Sequence, residues 1–167
     1  MPFRVTVADA MHRHFAALCS MLLSTFVAFE ALALPAPMSQ EELLAKSDLV
    51  ALVRVLSVTC VSVSTDAQSG QALPSYRAKA ALIEVIKGDE AKGSDVTITF
   101  KAVPTGVLGP WSVYYYPGEM VWTHLVHDGD AYTTIWWNGR GTLVSKALTS
   151  ELPTKPGETV EMPKSSK

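Results

Sequence analysis

Polar and apolar positions change rhythm several times along this chain, and each change marks an element. From Leu49 to Ser64 the run is rich in β-branched residues, and its second half sets Val58, Cys60 and Ser62 against Thr59, Val61 and Val63. That predicts one long strand, bent midway. Residues 65–75 are polar, with Gly70 and Pro74, and predict an exposed loop. A second strand is expected over 76–86, then a turn over 87–94 carrying Gly88 and Gly93. Residues 95–102 alternate strictly, with Val96, Ile98, Phe100 and Ala102 on one side and Asp95, Thr97, Thr99 and Lys101 on the other, the pattern of a strand with one wet face. Residues 119–127 and 130–138 flank Asp128-Gly129, a pair suited to a type I′ hairpin turn. Direct pairing across that turn sets Val121, Thr123 and Leu125 opposite Trp136, Thr134 and Tyr132. A last strand is expected over 142–148, after the turn Asn138-Gly139-Arg140-Gly141.

Ahead of the strands, Ser39 and Glu42 have capping-box spacing and predict a two-turn helix through Leu43, Leu44 and Lys46. So short a helix must pack its leucines to persist. Residues 34–38, with two prolines, read as a tether, and 149–167 as a disordered tail with little to bury. The elements together predict a mainly β domain over 39–148, a sandwich or small barrel of about five to six strands with one short N-terminal helix.

Residues 1–33 have a different character. Arg4, His12, Arg13 and His14 precede an apolar run that closes on Ala31-Leu32-Ala33. A basic start, an apolar middle and a small-x-small site predict an export signal cleaved near Leu34, hence a periplasmic or extracellular protein. An uncleaved anchor is the alternative, but Glu30 interrupts the run well short of the roughly 20 apolar residues a span needs. Met11 opens a compact leader of its own and is an alternative start. No transmembrane span is expected once the leader is removed.

The leader takes away Arg4, Arg13, Asp9 and Glu30, so the remainder keeps the formal net charge of −2. No basic stripe is present to displace counterions from phosphates, which argues against a nucleic-acid partner. Of the two cysteines, Cys19 lies in the leader, and Cys60 is left with no intrachain partner. It reads as a buried thiol within a strand; a bridge between two chains is the alternative.

Three segments carry a family resemblance. Residues 46–55, Lys-Ser-Asp-Leu-Val-Ala-Leu-Val-Arg-Val, resemble the opening strand of netrin-like modules, the group that includes tissue inhibitors of metalloproteinases. Residues 81–88 resemble that group's strand ending in Lys-Gly, and Tyr116-Pro117-Gly118-Glu119-Met120-Val121 resembles its glycine turn and following strand. The resemblance implies an OB-like barrel. Inhibition of metalloproteinases does not carry over, because that activity uses a cysteine at the mature N-terminus and none stands near Leu34.

Two groups of residues are candidates for chemistry. His124 and His127 have a spacing that invites a zinc reading, but side chains three apart on a strand point to opposite faces. His124 then shares its face with Met120, Trp122 and Val126 as a core histidine, and His127 lies in water near Asp130. No Gly-x-Ser-x-Gly elbow, P-loop or dinucleotide fingerprint is present, so no cofactor is implied. The aromatic residues are more suggestive: beyond the leader all but Tyr76 and Phe100 fall between Trp111 and Trp137. Flat rings left half wet on a strand suit docking of a protein or a carbohydrate. The long loop 103–118 adjoins them as a rim. The expected function is therefore an exported, non-enzymatic binding module whose surface combines Trp111, Tyr114, Tyr115, Tyr132, Trp136 and Arg140. The alternatives are a small secreted hydrolase or metal-dependent enzyme using His124 or His127, and a structural accessory of the cell envelope.

Overall fold

A single extra residue decides how the longest strand sits. Strand β1 (Leu49–Thr65) sends Leu49, Ala51, Val53 and Val55 into the core, then Val58 and Cys60, so the inward phase switches from odd to even. The switch falls where Val55 pairs with Ala80 but Ser57 pairs with Lys79, leaving Leu56 as a bulge. A bulge adds one residue to one strand, bends it and reverses which side chains face inward. The bend expected from the sequence is this bulge.

The computed structural model describes residues 35–106 and 113–163; the expected leader and Trp111 lie outside them. Helix α1 (Gln40–Lys46) has the expected capping box. Ser39 Oγ accepts from Glu42 N at 3.2 Å, and Glu42 Oε2 accepts from Ser39 N at 2.9 Å. Leu43 is its buried anchor, while Leu44 stays 45% exposed. Among the described residues no helix is long and apolar enough to cross a membrane.

The other strands are β2 (Ala72–Lys87), β3 (Asp95–Lys101), β4 (Met120–Asp128), β5 (Ala131–Thr134), β6 (Arg140–Ser145) and β7 (Thr159–Glu161). Antiparallel pairs β1–β2, β2–β3, β5–β4 and β4–β1, with the parallel pair β3–β5, close five strands into a ring. This is a small, partly closed barrel within the expected mainly β class. Its weakest seam is β3–β5, where only Ile98↔Tyr132 and Thr99↔Thr133 pair. Short β6 continues the edge of β4, and β7 lies along β1 beyond the end of β4.

Three expectations are corrected. The sequence predicts a disordered tail over 149–167, but within it Thr159, Val160 and Glu161 pair with Thr59, Val58 and Ser57. With β4 leaving β1 at Arg54, the strand edge beyond it is open and the tail fills it. Second, Leu125 pairs with Thr134 and His127 with Tyr132, two residues out of the predicted register. The turn centres on Gly129-Asp130 rather than Asp128-Gly129. Gly129 has φ +64° and Asp130 keeps a negative φ, as in a type II′ turn with glycine first. Third, the inner face of β4 is Val121, Thr123 and Leu125, all fully buried, whereas Met120, Trp122, His124 and Val126 are half-buried on the outside. The two-residue register error preserves faces; the assignment of inside and outside was itself inverted.

Cys60 is fully buried among the core residues, and among the described residues its thiol donates to the Ser62 carbonyl at 3.6 Å. Burial makes a thiol inert and rules out an interchain bridge without opening the barrel. The native protein is therefore expected to react with a thiol-specific disulfide reagent only in denaturant, with one equivalent released on unfolding if the leader is absent. Prompt labelling under native conditions would contradict this placement.

Candidate binding cleft

The short β3–β5 seam opens into a mainly apolar concavity. After Thr99 and Thr133 the two strands part: β3 runs on through Phe100 and Lys101 while β5 ends and the chain turns through Ile135, Trp136 and Trp137. Between them lies a cleft of about 370 Å³, walled by Phe100, Val113, Ile135, Trp136 and Trp137 with Lys101 at the side. Its size lies at the lower end of the range of small-ligand sites. Thr99 and Thr133 form the closed end of the seam. Thr133 Oγ1 donates to Thr99 O at 3.3 Å, and Thr99 Oγ1 donates to Asp128 Oδ2 at 3.0 Å.

The Trp136 side of the cleft is fixed by its base. Gly139 N donates to Trp136 O, and Ile135 N and His124 N bond His124 O and Gly139 O on either side of the excursion. A Cβ at Gly139 would lie 3.0 Å from a Thr134 methyl and 3.1 Å from Trp136 O, so any side chain there requires its neighbours to shift. Asn138 clamps the segment before α1, accepting from Met38 N at 3.2 Å and donating to Met38 O at 2.8 Å. The indole Nε1 of Trp137 is buried with no hydrogen-bond partner among the described residues.

The residues expected to form one surface are divided. Tyr114 is half-buried, edge-on to Phe100 with ring centroids 6.1 Å apart. Tyr115 is fully buried, its hydroxyl 2.6 Å from Thr123 Oγ1 and 2.7 Å from Thr134 Oγ1. Burial raises its phenol above the ordinary value, against the lowering effect of the two threonine hydroxyls. Tyr132 is 7% exposed, faces away from the cleft and donates to Glu90 Oε1 at 2.9 Å. Burial, with Glu90 as its acceptor, pushes that phenol up to about 12. Neither Tyr115 nor Tyr132 offers an open ring: the register places Tyr132 on the inner face of β5, and Tyr115 enters the core from the loop before β4. Of the described residues of the expected set, Trp136 alone lines the cleft.

Arg140 is committed elsewhere. Its Nη2 donates to Glu119 Oε2 at 2.7 Å, and Glu119 is 2% exposed. Burial raises the Glu119 carboxyl above the ordinary value, and the Arg140 guanidinium pulls it back down. Sequence reasoning missed Glu119 as a buried acid. Its signal was phase: it falls on the same alternation as Val121, Thr123 and Leu125, and is therefore carried inward with them.

The two histidines do not meet. His124 Nδ1 lies 3.2 Å from Gly139 O on the outer face, while the His127 ring packs 4.5 Å from Tyr132 at the opposite end of the hairpin. Among the described residues no group of three or more His, Cys, Asp or Glu is placed to hold a metal. A second, polar hollow of about 480 Å³ beside His127 is lined by Asp48, Lys87, Asp89, Glu90 and Tyr132. Several of its polar groups are already engaged. Lys87 Nζ donates to the helix-end carbonyls of Leu44 and Ala45 at 2.8 and 3.1 Å, and Asp48 Oδ2 accepts from His127 N at 2.8 Å. Compared with protein-family models, curated proteins and solved structures, the chain matches none of them.

Proposed function

We propose that this chain is an exported, non-enzymatic binding module that receives part of its ligand in the cleft between β3 and β5. The observation that carries the reading is the parting of those strands around Trp136 and Trp137. A ring or aliphatic group entering there covers apolar wall that a barrel without a ligand leaves wet. The leader-like residues 1–33 support export, and the segments similar to netrin-like modules support a role outside the cytoplasm.

Arrays of oligosaccharides and of peptides, probed with the domain beginning at Leu34, test this. Wild-type protein is expected to retain at least one class, and Trp136→Ala to lose it at least tenfold with an unchanged melting temperature. Binding that survives Trp136→Ala, or no binding on either array, overturns the reading.

A further inference from the structure

The cleft adjoins two further hollows, which together make a candidate groove. The cleft shares Thr99, Phe100, Lys101 and Thr133 with a trough of about 400 Å³ over the outer face of β2 and β3. That trough shares Arg77 with a third hollow of about 290 Å³ reaching Lys79 and Thr97. The register gives this floor a repeat. On the outer face Ser75 pairs with Lys101, Arg77 with Thr99, and Lys79 with Thr97, so each of three successive pairs couples one cation with one hydroxyl. Flanking strands extend the rows with hydroxyls, Thr59 beside Arg77, Ser57 beside Lys79 and Thr133 beside Thr99. Each step along the row is two residues, about 7 Å.

We infer that this groove binds an anionic polysaccharide, its acid groups meeting Lys101, Arg77 and Lys79, its hydroxyls meeting the serines and threonines, and one sugar ring entering the Trp136 cleft. The last element rests on the proposed function; the charged floor stands on its own geometry. The cations are available. Lys101 is exposed and has no carboxylate partner among the described residues. Arg77 and Lys79 contact Asp130 at 3.7 Å and Asp95 at 2.8 Å, but all four side chains are 40% exposed or more. Ion pairs this wet contribute little and exchange readily for a ligand carboxylate.

Two other extended anions fit less well. A peptide laid on a sheet gains most of its affinity by adding a strand to an open edge, and through this stretch β2 is paired on both edges, while β5 meets β3 at Ile98 and Thr99 and leaves only short free edges on either side. A single-stranded nucleic acid needs stacking rings along its track, whereas the aromatic residues here cluster at one end of the groove.

Polygalacturonate, uncharged dextran, poly-glutamate and an oligothymidylate, each titrated against the domain beginning at Leu34, discriminate the cases. Tryptophan emission and sedimentation of the complex are the readouts. Polygalacturonate is expected to bind, more weakly as salt rises, and to lose at least tenfold in affinity in the double variant Arg77→Gln, Lys101→Gln, whose exposed changes leave the melt in place. Failure of polygalacturonate to bind, retention of affinity in the double variant, or equal binding of poly-glutamate or oligothymidylate overturns the inference. Dextran bound as tightly as polygalacturonate, with the emission change lost in Trp136→Ala, overturns the charged floor while leaving the cleft standing. Salt-sensitive polygalacturonate binding that Trp136→Ala does not touch does the reverse.

Discussion

Replacing Arg140 by alanine is expected to destabilise the domain by about 3–5 kcal/mol at neutral pH, the range for breaking a buried ion pair from one side. The carboxylate left behind is 2% exposed, and its Oε1 already lacks a hydrogen-bond partner among the described residues. Arg140 supplies the one charge opposing the desolvation of Glu119, and its own Nε is buried without an acceptor. The pair is therefore imperfectly satisfied, and it holds edge strand β6 to the start of β4. The loss should depend on pH with a definite sign. Burial raises the Glu119 carboxyl in the folded state, so between its unfolded and folded pKa values the native protein binds the extra proton. Stability contributed by this group falls as pH rises through that window, opposite to a salt-bridged acid with a lowered pKa. Without Arg140 the folded pKa climbs further and the window widens upward, so the variant's deficit should be smallest in acid and grow toward neutrality. Urea unfolding at a series of pH values reads this directly. Glu119→Gln combined with Arg140→Met should recover most of the loss and remove the extra slope, because no buried charge remains. Equal midpoints for wild type and Arg140→Ala at neutral pH would show that water, not protein, solvates Glu119.

The strands, their order in the chain and the capped helix were legible because each rests on a local signal: β-branched alternation, paired glycines, a serine three residues before a glutamate. What was not legible depends on partners distant in sequence. On β4 both faces carry large apolar groups, and by volume Met120, Trp122 and Val126 make a better core than Val121, Thr123 and Leu125. The choice is made by β1, which brings Val53 against Val121, and by Tyr115, whose hydroxyl satisfies Thr123 inside the barrel. A buried threonine is acceptable only where such a partner arrives, and no window of sequence shows one arriving. Strand β7 was hidden for a related reason: Thr159-Val160-Glu161 has little pattern of its own and is ordered by the vacant edge of β1. At the site, the sequence located the aromatic concentration and Trp136, but not the cleft. A cleft made by two strands diverging is a property of their spacing beyond the last pair, and the paired cations and hydroxyls of β2 and β3 became visible only once their register was known.

That dependence on Tyr115 can be measured. It is the largest fully buried side chain of the described residues, and it comes from the long loop before β4 rather than from a strand. Its ring lies 5.7 Å from Phe100, and its hydroxyl joins Thr123 of β4 to Thr134 of β5. Tyr115→Ala removes the ring and leaves a cavity, with an expected loss of about 3–5 kcal/mol by analogy with other buried aromatic truncations. Tyr115→Phe keeps the ring but strips Thr123 and Thr134 of their shared partner, for an expected loss of about 1–3 kcal/mol. The two numbers separate packing from polar satisfaction, and a third variant checks the division. Adding Thr123→Val to Tyr115→Phe removes the stranded hydroxyl at nearly constant shape, so part of the phenylalanine loss should return, since replacing both partners by apolar groups can be close to neutral. Because Thr134 is also the last residue of β5 and lines the cleft, Tyr115→Phe should loosen the wall on which Trp136 stands before it unfolds the barrel. Amide exchange at 134–137 is the sensitive readout, rising in Tyr115→Phe while the β1–β2 ladder stays protected. Uniform acceleration across both regions would mean that the hydroxyl supports the whole core and not the cleft in particular.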